Sequence, residues 1–362
     1  MITTIKNEFI ILPKSKIKAS CGLEKGKYPF FTSSDIKISF LSEYKYDDEI
    51  VILGTGGKPS CNYINGKFSF STDNYALKSN GFIKPKFLYY FLRKDNLVVL
   101  QKGFHGTGLK HIGKDYILDI KIPKYEEEKQ KEIICNLDNI NNLIEKKKNQ
   151  LKLFNELIKS RFIEMFETID LSEERMDWTE LKDVAKIYTG TTPSSTDESN
   201  WNGDILWITP AEMNTDSFYI YDTIRKITER GRKSKSLDIM PVNTVLLSTR
   251  APIGKVGIVG KPMACNQGFK NFECGPKLNP IFLYILLKNN TEYLNSLGSG
   301  TTFLEVSKTR IAKLKVPIPP IERQMEFAEF VKQVDKSKFI VQQQIKSLQE
   351  LFDKKMDEYF GD

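Results

Sequence analysis

The chain has 362 residues, 40% of them hydrophobic with 23 Phe and 15 Tyr, enough for two or more domains with real cores and too much for global disorder. No run reaches the ~18–20 apolar residues of a membrane span and the N-terminal stretch lacks a secretory layout. Five scattered cysteines without a CxxC pair, and only two histidines, argue against a structural zinc site and for reduced thiols in the cytoplasm.

The formal charge of +8 is divided unevenly. Residues 1–125 carry 20 Lys and Arg against 11 Asp and Glu, and residues 126–170 carry 8 against 10. Residues 171–317 carry 19 against 16, and residues 318–362 carry 7 against 9. A phosphate backbone as ligand would explain basic globular segments beside acidic connecting ones. An ordinary lysine-rich surface would produce the same split.

Residues 1–125 read as a first globular domain. Apolar stretches at 9–12, 28–31, 36–41 and 50–53 alternate with turn material as short strands. The loop Gly54-Thr55-Gly56-Gly57-Lys58-Pro59-Ser60 follows. Residues 86–100 are expected to be helical, with Phe87, Leu88, Phe91, Leu92 and Val99 at helical recurrence. Residues 103–108 read as a loop and 117–122 as a last strand running into Pro123.

Residues 126–169 form one predicted helix, free of Gly and Pro. Ile133, Leu137, Ile140, Ile144, Lys147, Leu151, Phe154, Ile158, Arg161 and Met165 recur at alternating steps of four and three, a mostly apolar seam. Glu126, Glu127 and Glu128 suit the positive end of the helix dipole. Such a rod would be roughly 65 Å long at about 1.5 Å per residue, and its seam must be buried against another helix.

Residues 170–317 read as a second globular domain and 318–362 as a second long helix. A shift of 194 carries the first seam onto Phe327, Val331, Val334, Lys338, Val341, Ile345, Leu348, Phe352, Lys355 and Tyr359, and carries Gln130 onto Gln324 and Pro123 onto Pro317. Gly106-Thr107 answers to Gly300-Thr301, and Phe87-Leu88-Tyr89 to Phe282-Leu283-Tyr284 within one residue. The register fails in the N-terminal third of each half, where the second copy is longer. This is a duplicated domain with its helix, not a solenoid.

The order domain, long helix, domain, long helix resembles the specificity subunit of type I restriction-modification enzymes over essentially the whole chain. The motifs that carry the resemblance are Gly190-Thr191-Thr192-Pro193 and Trp201-Asn202-Gly203-Asp204-Ile205-Leu206-Trp207-Ile208-Thr209-Pro210. With them come Leu247-Ser248-Thr249-Arg250-Ala251-Pro252-Ile253-Gly254, Gly298-Ser299-Gly300-Thr301-Thr302, and Val316-Pro317-Ile318-Pro319-Pro320-Ile321-Glu322-Arg323-Gln324. The first half departs from this pattern, with Gly22-Leu23 and Tyr28-Pro29-Phe30 in place of the longer opening.

The resemblance implies an α+β fold. Two mixed α/β target-recognition domains, 1–125 and 170–317, would be separated by two long antiparallel coiled-coil helices, 126–169 and 318–362, an internal tandem repeat with pseudo-twofold symmetry. It further implies a cytoplasmic, non-catalytic subunit that binds an asymmetric bipartite site on double-stranded DNA. Its protein partners would be methyltransferase subunits, two of them, and through these the restriction subunits. No cofactor is expected on this chain, since S-adenosylmethionine, ATP and magnesium would belong to the partners.

The residues themselves offer DNA-binding candidates. Thr55 and Lys58 lie in the glycine-rich loop, whose backbone N–H groups could hold a phosphate; a plain turn is the alternative. The loop is not a Walker A motif, since Pro59 follows Lys58. Its counterpart supplies Arg250 and Lys255, and arginine reads guanine or anchors phosphate. Thr191 and Thr192 belong to the motif after the first strand of the second domain. Arg225, Lys226, Arg230, Arg232, Lys233 and Lys235 are six positive charges against Glu229, a phosphate-tracking surface or a solvated loop. Lys110 and His111, and Lys308 with Arg310 in the second copy, complete the set. Leu143, Leu157, Phe162 and Phe166 widen the apolar face of the first long helix, either for a further helical partner or for docking the chain's own domains. The seam lysines Lys147 and Lys338 either snorkel or set register.

Catalytic signals are sparse. There is no Asn/Asp-Pro-Pro-aromatic tetrapeptide, no helicase P-loop and no HExxH. A stand-alone nuclease or methylase with an unrecognised site, and a structural scaffold without DNA binding, stay open as alternatives on sequence alone.

Overall fold

The computed structural model describes residues 1–173, 175–213, 217–250, 252–299 and 304–361. Two compact units divide it: residues 1–148 with the segment from Gln343 onward, and residues 149–342. The division cuts both long helices, Glu127–Phe166 and Ile321–Phe360, so each unit owns part of each.

In the first unit a six-stranded sheet runs in the order Phe9–Ile11, Asn74–Ser79, Tyr46–Gly54, Cys61–Phe70, Tyr28–Phe31, Ser39–Leu41. The continuous apolar run Ile50-Val51-Ile52-Leu53 reflects burial on both faces. Val51 and Leu53 join the core with Phe87 and Leu88, while Ile50 and Ile52 pack with Phe68 and Phe70. The strands Cys61–Phe70 and Asn74–Ser79 are not among the expected ones; in the first, Asn62, Asn65 and Gly66 interrupt the alternation.

Two expected elements are corrected. The helix expected over 86–100 is Pro85–Arg93, followed by Asp95, Asn96 and Leu97 at φ of 50, 54 and 67°, then Val98–Gln101. Asp and Asn tolerate the left-handed region, and burial of Leu97 carries the chain through the turn. The strand expected over 117–122 is a helix, Lys114–Asp119, then a strand, Lys121–Pro123. Ile117 and Ile120, three apart, both enter the core, which is helical spacing.

The second unit holds a five-stranded sheet in the order Ala185–Thr189, Lys270–Cys274, Val245–Leu247, Val256–Val259, Tyr219–Ile220. A three-stranded sheet carries Trp201–Ile208 between Arg225–Ile227 and Met263–Cys265. Helix Pro280–Asn289 is buried almost all round.

Hydrogen bonds repeat with the sequence. The Ile5 N–H donates to Ile120 O and the Leu181 N–H to Leu314 O, a shift of 176 for the donor and 194 for the acceptor. The second copy therefore carries 18 more residues in its opening part. Gln130 and Gln324 are both wholly buried. Gln130 accepts from the Lys84 N–H and donates to Phe82 O and Tyr125 O. Gln324 accepts from the Asn279 N–H and donates to Lys277 O and Pro319 O. One side chain thus ties the first turn of each long helix to its own domain through three backbone groups.

The seam residues are buried or half-buried within each unit. In the first, Ile133 and Leu137 share a core with Met356, Tyr359 and Phe360, and the Asn136 amide donates to the Tyr359 hydroxyl at 2.8 Å. In the second, Arg161 meets Glu326 at 3.0 Å while Asn155 meets Lys338 Nζ at 3.0 Å. Stepping back along one helix moves forward along the other, so the two segments run antiparallel in this unit. Lys338 is only 8% exposed and spends its ammonium on Asn155 rather than snorkelling.

Candidate nucleic-acid interface

In the first unit the turn between strands Tyr46–Gly54 and Cys61–Phe70 does not close on itself alone. The Gly57 N–H donates to Lys110 O at 2.9 Å and the Ile112 N–H to Thr55 O at 3.1 Å. Gly57 sits at φ +84°, which favours glycine, and a β-carbon on Gly56 would lie 3.1 Å from the His111 ring. Backbone pairing therefore gathers Thr55, Lys58, Lys110 and His111, from two separate stretches, onto one rim. Lys58, Lys110 and His111 are exposed there.

A cleft of about 570 Å³ adjoins this rim, lined among others by Lys58, Lys110, Arg93, Asp35, Asn96 and Gln101. Arg93 bonds Asp35 at 2.8 Å and Cys61 O at 3.0 Å, and its guanidinium lies 5.5 Å from the Tyr89 ring centroid. Burial raises the Tyr89 pKa, keeping that hydroxyl neutral. Sequence reasoning missed Arg93, which stands inside the run 86–100 expected as one helix; it is the last residue of the helix Pro85–Arg93, and the left-handed turn after it adds Asn96 and Leu97 to the same cleft.

In the second unit the loop after strand Val245–Leu247 is held the same way. The Thr249 N–H donates to Gly268 O and the Val306 N–H to Thr249 O. Arg250 Nε donates to Glu305 at 2.9 Å, leaving the side chain 43% exposed. Lys255 is half-buried and its Nζ donates to Pro210 O at 3.0 Å, which ties the loop down. Ala251 of this loop, and Gly300, Thr301 and Thr302 of the glycine-threonine motif, lie outside the described residues.

The basic stretch from Arg225 to Lys235 is a strand, Arg225–Ile227, then a helix, Glu229–Ser234, capped by the Thr228 hydroxyl. Its charge excess is smaller than the sequence suggests, because the neighbouring Asp222 and the distant Asp197 both pair with it. Lys226 pairs with Asp222 at 3.4 Å and Arg230 with Asp197 at 3.3 Å; Arg232 and Lys233 share Glu229. These pairs are solvent-exposed and weak, so a phosphate can compete for the cations. Glu229 and Asp197 are held below the usual carboxylate range, Glu229 chiefly by its bond from Arg232 and Asp197 by its bond from Ser199. Lys235 is exposed.

Arg225 is held differently, stacked 3.6 Å from the Trp201 ring centroid and 5.2 Å from that of Trp207. The two indoles also anchor the motif loop. Trp201 Nε1 donates to Ser194 O at 2.9 Å and Trp207 Nε1 to Thr191 O at 3.2 Å. Thr191 and Arg225 are thereby fixed by one aromatic pair, and the Thr192 hydroxyl bonds Gln267 at 2.7 Å. Lys308 and Arg310 are exposed on the short helix Lys308–Ala312, and no hydrogen bond or ion pair among the described residues links them to Arg225–Lys235.

The four residues expected on a partner face separate into two classes. Leu143 and Leu157 are 46% and 47% exposed. Phe162 is corrected: it is 2% exposed, stacked 5.7 Å from Phe282 and edge-on 5.4 Å from Phe327. Phe166 likewise meets Phe282 and Phe327, at 5.0 and 5.6 Å. Both pack the C-terminal part of the first long helix into the core of the second unit, because rings that large are worth most inside a core. Among the described residues no group of three His, Cys, Asp or Glu is placed to hold a metal ion, and no helix is long and apolar enough to cross a membrane.

The sequence model of the type I restriction modification DNA specificity domain matches residues 6–153 and again 174–350. The MjaIX type I restriction enzyme specificity subunit of Methanocaldococcus jannaschii is 36% identical over 184 residues, 49% of this chain and 43% of that protein. The MjaVIII specificity subunit of the same organism is 23% identical over 348 residues, 86% of this chain and 80% of that one. The chain thus spans less than half of the first relative and most of the second. In fold, the chain is similar to the type I restriction-modification S subunit from M. genitalium, with a TM-score of 0.67 at 16% identity, covering 100% of this chain and 96% of that one. Two matches to one domain model, one in each half and together spanning most of the residues, show that the chain belongs to the type I restriction modification DNA specificity domain family.

Proposed function

We propose that the chain is the DNA sequence-specificity subunit of a type I restriction-modification complex, itself without a catalytic role. Residues 1–125 and 170–317 serve as target-recognition domains for two unlike half-sites on one duplex. The observation that carries this reading is the repeated loop frame: two domains with the same backbone pairing and different exposed side chains are suited to reading two different sequences. Residues 126–169 and 318–362 act as an antiparallel coiled-coil spacer that relates the domains by a pseudo-twofold axis and selects the gap between half-sites. Arg225, Lys226, Arg230, Arg232, Lys233 and Lys235 track phosphates, as do Lys58 and Lys110. Leu143 and Leu157 contact the methyltransferase subunits, two per complex, which bring the restriction subunits with them in the cytoplasm.

The test is co-expression of the chain with its neighbouring methyltransferase, followed by mapping of methylated adenines across a genome. A split, asymmetric motif with a constant gap is expected. Removing residues 144–150 and 338–344 should shorten the gap and leave both halves unchanged. Methylation or cleavage by the purified chain alone, or DNA affinity insensitive to salt, would overturn the reading.

A further inference from the structure

Both units share one backbone frame at the loop rim but fill it with different chemistry. In the first, Thr55 O accepts from the Ile112 N–H and Gly56 faces His111 as an antiparallel bridge. In the second, Thr249 O accepts from the Val306 N–H and Arg250 faces Glu305. Every one of these positions is displaced by 194 residues. A frame that repeats while its side-chain pair does not is a place where two readers can diverge without refolding.

The second pair is built as a fork on a support. Arg250 Nε donates to one Glu305 oxygen at 2.9 Å. The other Glu305 oxygen lies 3.6 Å from Lys270 Nζ. Lys270 is only 6% exposed and also reaches the Thr249 hydroxyl at 3.4 Å. Burial pulls the Lys270 pKa down and Glu305 opposes that pull. Glu305 is thus pinned from behind by a buried ammonium and grips the arginine at Nε. The two terminal Arg250 nitrogens have no partner among the described residues. A guanidinium held at Nε presents its two-donor end, the shape that matches the adjacent O6 and N7 acceptors of guanine.

Resting on the proposed DNA-reading function, we propose that Arg250 is the base-reading side chain of the second recognition domain, with Glu305 as its positioning residue, and that in the first domain, where a glycine stands in Arg250's place, His111 at the position equivalent to Glu305 does the reading. Lys270 neutralises Glu305 so that the fork stays aimed at the duplex. The two half-sites then differ because the pair Gly56 and His111 in one frame is replaced by Arg250 and Glu305 in the other.

The full chain is co-expressed with its methyltransferase as wild type, Arg250→Lys, Glu305→Gln and His111→Ala, and the methylated motif is mapped for each. Arg250→Lys keeps the charge and loses the fork, so discrimination at one guanine of one half-site should fall about 5- to 150-fold while the other half and the gap stay fixed. Glu305→Gln should relax the same base less, and His111→Ala should relax the opposite half only. Wild-type chain is also titrated with duplexes carrying 7-deazaguanine at each guanine of the mapped half-site, a measurement independent of variant folding. One position should lose affinity, and Arg250→Lys should remove that difference. An unchanged motif with Arg250→Lys, no sensitive 7-deazaguanine position, or a loss of affinity uniform across sequences with a salt slope lower by about one for Arg250→Ala, as for a phosphate contact, overturns the inference. Absence of any split motif from wild type overturns the proposed function itself.

Discussion

Replacing Gln324 by Met keeps the side-chain length and removes three hydrogen bonds at once. Gln324 is fully buried and joins the helix Ile321–Phe360 to Asn279 N–H, Lys277 O and Pro319 O at 2.9, 3.0 and 2.7 Å. Each bond contributes about 1 kcal/mol net, so the substitution should cost about 3 kcal/mol. The freed Asn279 N–H and the Lys277 and Pro319 carbonyls are part-buried, so any of them that water does not reach adds to that figure. Urea unfolding followed by circular dichroism measures the loss, and Gln130→Met should cost about the same in the first unit. Gln324→Glu extends the test to pH. A carboxylate there would face two carbonyl oxygens, so its pKa in the folded chain would be raised above the ordinary ~4.3. A group with a raised folded pKa adds stability below its unfolded value and loses it as pH rises through the folded one. The Glu variant should therefore approach wild type near pH 4 and fall behind toward neutrality. Losses under ~1 kcal/mol for both Met variants, or a Glu variant whose deficit is independent of pH, would refute the reasoning.

Two further outcomes are expected. Phe162→Ala should destabilise the second unit by about 3–5 kcal/mol in the same unfolding assay, whereas Leu157→Ala should stay within about 0.5 kcal/mol and instead weaken co-purification of the methyltransferase. In the folded chain at pH 8, iodoacetamide should label the exposed Cys21 and Cys135 and spare Cys61 and Cys265. Burial raises the Cys61 thiol pKa and pushes that of Cys265 up to about 12, so neither forms the reactive thiolate; peptide mass spectrometry before and after denaturation reads the difference.

The repeat, and everything periodic in it, can be read from the order of residues. The seam from Ile133 to Met165, its echo from Phe327 to Tyr359, and the equivalence of Gln130 and Gln324 are properties of spacing, and spacing survives without coordinates. The same is true of the indole pair Trp201 and Trp207, whose motif marked the second domain although its job of holding Arg225 and Thr191 did not show. Only tertiary structure decided which candidates share a surface, because that depends on pairing between distant stretches. The Gly57 N–H had to meet Lys110 O before Lys58 and His111 could lie on one rim. Likewise Asp197 had to fold beside Arg230 before that part of the surplus of positive charge could be discounted. Phe162 fell on the wrong side of the same divide: a helical wheel gives an angle, but whether that angle points to solvent or to Phe282 is set by where the domain docks. Local periodicity is encoded residue by residue, whereas a binding surface is made by long-range closure, which the order of residues along the chain does not display.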